Sequence, residues 1–313
     1  MGQTMKRVAP VFWKYKKPVL SCFLGNRGFQ GELKYKGRAV PNFSFPEEAV
    51  GALAKAVQYA EMKNKPKGSV PRLRDIRRKQ AEDLVLDIMS RTTERPIWMA
   101  AEDINKLLEC YGINIAGAHL ATSVEEAAET AAKIGFPVAV KLASSTITHK
   151  TDVGGVVTDV NSKEEVIEAY DNIQTNLREI GRLEEMEGVL VQKMVESDIE
   201  TIVGVTHDPS FGPLIMFGSG GIYAELTKDV TLSLHPLTDI DAEEMIHSVK
   251  MAKVFEGYRG SPVSDTGSVK DLLLRISAMI EDIHEIAELD LNPVKVMPEG
   301  EGYWVIDARI LLK

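Results

Sequence analysis

Between Arg95 and Lys313 the apolar and polar positions switch repeatedly between the 3.6-residue repeat of a helix and the two-residue repeat or unbroken run of a strand. MAAEDINKLLECYGI carries apolar residues at helical spacing and stops at Gly112. SVEEAAETAAKIGF predicts a second helix, with Ser123 as its cap, Glu126 in its first turn and Gly135 at its end. PVAVKLAS then reads as a near-continuous apolar strand interrupted by Lys141. GGVVTDV, GVLVQKMV, ETIVGVTHD and PLIMFG predict further strands, and KEEVIEAYDNIQTNL, DAEEMIHSVKMAK and SVKDLLLRISAMIEDI predict further helices. Elements in this order predict an α+β fold with mixed sheets.

The C-terminal stretch AELDLNPVKVMPEGEGYWVIDARILLK predicts a β-hairpin about its Pro-Glu-Gly-Glu-Gly turn. A turn centred between Glu299 and Gly300 sets Asn292 opposite Asp307 and Asp290 opposite Arg309. Side chains two apart share a face, so these four polar residues line one side, while Leu289, Leu291, Ala308 and Ile310 face the core.

Ahead of Arg95 the pattern thins. VLSCFL and AVPNF predict two short strands, and FPEEAVGALAKAVQYAEMK predicts a helix with Pro46, Glu47 and Glu48 in its first turn. These are too few elements for a free-standing parallel domain, so residues 1–65 are expected to complete a fold whose remainder lies elsewhere. Residues 66–94 read as a basic linker and a helix, which leaves 95–313 as the main domain.

Composition narrows the function classes. With 37 Lys+Arg against 46 Asp+Glu the net charge is -9, which gives no electrostatic footprint for nucleic acid. Two cysteines, Cys22 and Cys110, cannot build a disulfide framework or a four-ligand zinc site. No apolar run approaches the roughly 20 residues of a membrane span. The chain reads as a soluble cytoplasmic protein without a nucleic-acid or membrane partner.

Four places carry chemistry. The hairpin face offers carboxylate and amide oxygens on rigid strands, a donor set that suits Mg²⁺ completed by phosphates and water; an ordinary solvent face with an Asp–Arg pair is the plainer reading. Lys141 needs an anion, for which phosphate is apt, or an edge position from which to snorkel. Gly218, Gly220 and Gly221 in FGSGGIYAELTKD would let backbone N–H groups approach phosphate, with Glu225 following, or would simply make a tight turn. ITHKTDVGGVV sets His149 before Asp152, Gly154 and Gly155, and a neutral imidazole is a competent phosphoryl acceptor, although a lone surface histidine is common.

In sequence order, YGI, GFPVAVK, THKTDVGGV, VLVQKMV, DPSFGPLIMFGSGGIYAE, GYRGSP, and ELDLNPV with a terminal IDAR resemble the ATP-grasp portion of the ADP-forming acyl-CoA synthetases, relatives of succinyl-CoA synthetase. More weakly, KPVLSCFLG and FSFPEEAVGALAKAVQY resemble the tail of the ligase-type domain that precedes ATP-grasp in fused members. The resemblance implies an ATP-grasp fold of two α/β subdomains with mixed sheets over 95–313, preceded by a partial α/β ligase-type segment. The reaction it implies is acyl-CoA + ADP + phosphate giving acid, CoA and ATP, with the phosphoryl group carried on histidine.

By the same resemblance His149 would be the second phosphohistidine, Asp290 would orient its imidazole, and Arg259 and Glu225 would position the transferring group. Lys141 would hold nucleotide phosphates beneath the Gly218, Gly220 and Gly221 loop, and Asn292 and Asp307 would ligate Mg²⁺. Backbone groups of Lys193, Met194 and Val195 would read the adenine edge, with Glu200 at the ribose. ATP or ADP and Mg²⁺ are the expected cofactors. A CoA-binding partner subunit or domain carrying the first phosphohistidine would supply acyl-CoA and phosphate and make a hetero-oligomer. Two other readings compete: a non-catalytic nucleotide-sensing module, as in synthetase-like regions of protein acetyltransferases, and an ATP-grasp carboxylate–amine ligase that needs no phosphohistidine.

Overall fold

The computed structural model describes residues 17–22, 33–35, 38–144, 146–147, 150–197, 199–220 and 229–313. The chain divides into two compact units, Met1–Lys67 and Gly68–Lys313. In the first, β1 (Ser21–Cys22) pairs in parallel with β4 (Asn42–Phe43), and β2 (Leu33–Tyr35) pairs antiparallel with β3 (Arg38–Val40). The helix Pro46–Asn64 has proline at its first position and Glu47 and Glu48 in its first turn, which suits the helix dipole. Ala49 is its one buried residue, while Val50, Val57, Tyr59 and Met62 stay exposed.

The second unit opens with the helix Arg78–Ser90, which buries Ala81, Val85 and Ile88 in the main core. Its strands are β5 (Ile97–Trp98), β6 (Ala118–Ala121), β7 (Val138–Ala143), β8 (Val156–Val160), β9 (Gly188–Lys193), β10 (Glu200–Asp208), β11 (Gly212–Ser219), β12 (Val230–Leu234), β13 (Ile286–Val296), β14 (Tyr303–Val305) and β15 (Ala308–Leu312). They form a 4-stranded sheet, ordered β6-β9-β7-β8, and a 7-stranded sheet, ordered β12-β11-β10-β13-β15-β5 with β14 also on β13.

Each sheet has its own core. The helices Val124–Ile134 and Lys163–Glu179 cover the smaller sheet and meet it through Ala127, Ala128, Ala131, Val166, Ile173 and Leu177. Both start as their sequences dictate, with Ser123 and Ser162 accepting the N–H groups of Glu126 and Glu165 at 3.2 Å. The larger sheet packs against the helices Arg78–Ser90, Ala101–Cys110, Asp239–Ser248 and Thr266–Asp282, burying Leu107, Phe217, Leu272, Ile276 and Leu291. Asp239–Ser248 is closed by a full capping box between Thr238 and Asp241. The stretch expected as one helix over DAEEMIHSVKMAK breaks after Ser248 and resumes as Ala252–Phe255. Asp229 occupies the break, accepting the N–H groups of Lys250 at 2.7 Å and Met251 at 3.0 Å.

Candidate functional site

The C-terminal hairpin has the expected register. Asp290 pairs with Arg309, Leu289 with Ile310 and Leu291 with Ala308, and nearer the turn Val294 pairs with Val305. Leu289, Leu291 and Ile310 are buried, whereas Asp290, Asn292, Asp307 and Arg309 are exposed on the opposite face. One feature of the returning strand goes beyond the sequence pattern: it breaks at Ile306 and Asp307 to give β14 and β15. The Asn292 N–H donates to the Asp307 carbonyl at 3.0 Å and the Ile306 N–H to the Pro293 carbonyl at 2.9 Å, so the break is held from the facing strand. Asp290, Asn292, Asp307, Ala308 and Arg309 line a cavity of about 170 Å³. A second cavity of about 380 Å³ shares Asp290 and Arg309 and is walled by Trp98, Thr206, Met216 and Glu288.

Two carboxylates and an amide oxygen form an all-oxygen donor set, which fits a hard divalent cation that keeps several waters or phosphate oxygens. Among the described residues no group of three or more His, Cys, Asp or Glu side chains could hold a metal unaided. The protein mass around the Asp290 carboxyl pushes its pKa above the ordinary value; Arg309 pulls it down and Asp307 pushes it up.

Lys141 reaches this site from the other sheet. It lies on β7, between β9 and β8, so it is not an edge residue and the snorkelling alternative falls away. Its Nζ donates to Gln192 Oε1 at 2.5 Å. Burial lowers the pKa of its ammonium, while the charge of Asp307 raises it and that of Lys150 lowers it. Lys150 is half-buried, and its ammonium is likewise lowered first by burial, raised by Asp307 and lowered by Arg309. Two cations of the smaller sheet's side therefore share an electrostatic neighbourhood with the acidic face of the larger.

Sequence reasoning passed over Lys150, and the signal for it lay in the glycines that follow. Lys150–Val153 forms one 3₁₀ turn, Gly154 takes a left-handed φ of 64°, and the Gly155 N–H returns to the Lys150 carbonyl at 2.8 Å. A Cβ on Gly155 would come within 2.9 Å of both that carbonyl and the Leu142 side chain. This tight loop docks Lys150 against β7. His149 itself lies outside the described residues, as do Gly221 and Glu225. Arg259 has its backbone in the 3₁₀ turn Tyr258–Gly260, with its side chain outside the described set.

The remaining candidates border the crossing from the smaller to the larger sheet. Lys193 is exposed at the end of β9, its Nζ 6.0 Å from the Trp304 ring centroid. The Met194 N–H donates to the Pro137 carbonyl at 3.1 Å, so a base edge would meet other backbone groups of the Lys193–Val195 stretch. Glu200 faces Lys295 at 3.8 Å, and its carbonyl accepts the Gly220 N–H at 2.7 Å. Gly218 and Gly220 are explained by close approach: a Cβ would lie 2.7 Å from the Asp229 carbonyl at the first and 2.8 Å from the Glu200 carbonyl carbon at the second. Asp290, Asn292, Asp307 and Lys141 thus converge, whereas Lys193 to Glu200 form a separate border of the same face.

Comparison with known proteins gives the chain a family. The ATP-grasp domain family matches residues 91–312. The chain is 41% identical over 216 residues to the β subunit of the ADP-forming acetate–CoA ligase II of Pyrococcus furiosus, covering 69% of this chain and 92% of that subunit. It is 35% identical over 298 residues to the ADP-forming 4-hydroxybutyrate–CoA ligase of Nitrosopumilus maritimus, covering 95% of this chain but 42% of the relative. Among solved structures, the acetyl-coenzyme A synthetase 1 of Ca. Korarchaeum cryptofilum superposes with a TM-score of 0.64 at 37% identity, over 74% of this chain and 100% of that one. That structure holds coenzyme A and Mg-AMPPCP, with its phosphohistidine segment pointing towards the nucleotide binding site. The chain spans about two fifths of the length of longer curated relatives such as the N. maritimus ligase.

Proposed function

The chain belongs to the ATP-grasp family, among the β subunits and corresponding parts of ADP-forming acyl-CoA synthetases, and on that premise we propose that it passes a phosphoryl group between His149 and a magnesium-bound nucleotide, ADP in one direction and ATP in the other. The convergence of Lys141 and Lys150 with Asp290, Asn292 and Asp307 carries the proposal. In the ATP-forming direction a β-phosphate oxygen of ADP attacks the phosphorus on the His149 imidazole; the N–P bond breaks, the P–O bond forms, and the imidazole keeps the electron pair. The charge spread over the transferring group calls for cations and fixed donors more than for covalent assistance.

In this proposal Lys141 and Lys150 counter nucleotide phosphate charge, and Asn292 and Asp307 would hold Mg²⁺, which would supply Lewis acidity. Asp290 accepts the imidazole N–H, while Arg259 and Glu225 position the group in flight. Lys193, Met194 and Val195 border the base, Glu200 borders the ribose, and Gly218, Gly220 and Gly221 border the phosphates. The cavity walled by Trp98, Met216 and Arg309 opens beside Asp290 and would admit the phosphohistidine segment of a partner. That partner, a subunit or a further stretch of chain, would bind CoA and the acid and would cover the bare apolar side of Pro46–Asn64. No helix among the described residues is long and apolar enough to cross a membrane, consistent with a site in the cytoplasm. The relatives are synthetases, so the non-catalytic module is not favoured.

The test is incubation of the chain with Mg²⁺ and γ-labelled ATP. We expect acid-labile, base-stable label on the wild type and none on His149→Ala. Equal labelling of the two proteins would refute the relay, and net acyl-CoA formation by the chain alone would refute the need for a partner.

A further inference from the structure

We infer that Gln192 is a positioning residue that fixes Lys141 for phosphate and ties it to the segment bearing Asp307. The inference rests on the reading of Lys141 as a phosphate ligand. Gln192 is 3% exposed on β9, an inner strand of the smaller sheet. It pairs across the sheet with Ala139, so Lys141, two residues further along β7, is its diagonal neighbour on the same face.

The hydrogen bonds leave its amide a single orientation. Nε2 lies 2.6 Å from the Ala116 carbonyl and 2.6 Å from the Ile306 carbonyl. Both partners only accept, so this end must be the NH₂ group, and both of its hydrogens are used. The other end must then be the oxygen, and it meets Lys141 Nζ, which only donates, at 2.5 Å. Among the described residues Lys141 donates one side-chain hydrogen bond, to Gln192. Its anchor is neutral, so the hydrogen bond does not offset the ammonium charge; the Asp307 carboxylate acts on that charge at a distance, and a phosphate would meet it directly.

The two carbonyls explain why this residue occupies this place. Ile306 directly precedes Asp307 in the break between β14 and β15. Ala116 is held to the same region, its N–H donating to the Val305 carbonyl at 2.8 Å. One side chain therefore links the phosphate cation of the smaller sheet to the backbone that presents a metal carboxylate from the larger. When the two sheets sit in register, Lys141 and Asp307 are placed together for the two halves of one ligand, phosphate and metal.

Gln192→Glu would set a carboxylate against two carbonyl oxygens and neutralise Lys141. Gln192→Met would leave the lysine untethered and both carbonyls without a donor. The experiment titrates the 313-residue chain with Mg-ADP and, separately, with adenosine, which lacks phosphate, comparing wild type, Gln192→Glu, Gln192→Met and Lys141→Met. Loss of one hydrogen bond to a charged group predicts Mg-ADP binding about tenfold weaker in both Gln192 variants, with adenosine affinity kept within about twofold. Adenosine affinity lost in parallel with Mg-ADP would show that Gln192 merely supports the fold, and would overturn the inference. Wild-type Mg-ADP binding in the Gln192 variants with loss in Lys141→Met would overturn the inference while leaving the phosphate role of Lys141 intact. Unchanged binding in Lys141→Met would remove that underlying role, and the inference with it.

Discussion

The smaller and larger sheets of the second unit face one site but are built from different material. Alanines recur in the core of the smaller sheet, with Ala121, Ala127, Ala128, Ala131 and Ala169 beside valine, leucine and isoleucine. Leucine, isoleucine, phenylalanine and tyrosine fill the core of the larger, including Tyr111, Phe217, Phe255, Leu272 and Leu291. The charges divide as well. Lys141 and Lys150 come from the smaller sheet's side, whereas Asp290, Asn292 and Asp307 stand on the hairpin of the larger. In the proposed site the smaller sheet's side supplies the two lysines and the larger sheet the candidate metal oxygens. A magnesium nucleotide bound as proposed would therefore be held where the two sheets meet, and the Gln192 side chain is one polar tie across that meeting.

The largest effects should come from breaking one core at a time. Phe217→Ala in the larger sheet should cost about 3–5 kcal/mol and Leu177→Ala in the smaller about 2–5 kcal/mol, since both side chains are fully buried. If the cores are separate, Leu177→Ala should lower amide-exchange protection over 118–193 and leave 200–312 at the wild-type level. Equal loss across both sheets would mean a single cooperative body and would erase the distinction.

Next in size are the charges. Removing a charged hydrogen-bond partner costs about 1.5–3 kcal/mol, so Lys141→Met and Asp307→Asn should each weaken Mg-ADP binding by roughly ten- to a hundredfold. Metal separates the two. Lys141→Met should weaken ADP binding with or without Mg²⁺, because an ammonium meets phosphate directly. Asp307→Asn should weaken it only when Mg²⁺ is present and should slightly improve it in chelator, since a repelling carboxylate is gone. Titration calorimetry in both buffers reads the difference, and identical responses of the two variants would contradict the division of labour between the sheets.

Much of this arrangement is legible in the residues. The hairpin register follows from alternation on both sides of a Gly-rich turn, because a slip of one residue would turn Leu289 and Leu291 to solvent. The helix Val124–Ile134 follows from Ser123 and Gly135. Less legible are β5, β6 and β12, which are short and lack a continuous apolar run; Ala118–Ala121 includes a histidine, and β12 alternates without burying any residue fully. The break at Ile306 and Asp307 is invisible to a pattern of period two, since the strand resumes in phase. Gln192 has no local signal at all. Its role arises from carbonyls 76 and 114 residues away in the chain, a kind of partner only the fold reveals. Gly218 and Gly220 teach the converse, because glycines that suggest a phosphate loop are also required by backbone contacts with Asp229 and Glu200.

The smallest effect expected is a pH dependence from Asp290 on the larger sheet. Asp290 has its carboxyl pKa raised above 3.8 by the surrounding protein, with Arg309 opposing and Asp307 adding to the rise. A folded pKa above the unfolded one means that the folded chain binds more protons between the two values, so stability declines as pH rises through that window. Above that window the ionised Asp290 lowers the stability of the ligand-free fold, and Asp290→Asn should raise its melting temperature modestly while weakening the nucleotide site. A cation reverses the preference, because metal and proton compete for the same face. ADP takes up a proton on its terminal phosphate at a pH of about 6 and binds more weakly below it with or without metal, so the contribution of Asp290 is the part of the Mg-ADP profile that Asp290→Asn removes. Titrations between about pH 4 and pH 8 check this against the ordinary aspartate pKa of about 3.9. Identical Mg-ADP profiles for wild type and Asp290→Asn would mean that the Asp290 charge does not reach the metal that Asn292 and Asp307 are proposed to hold.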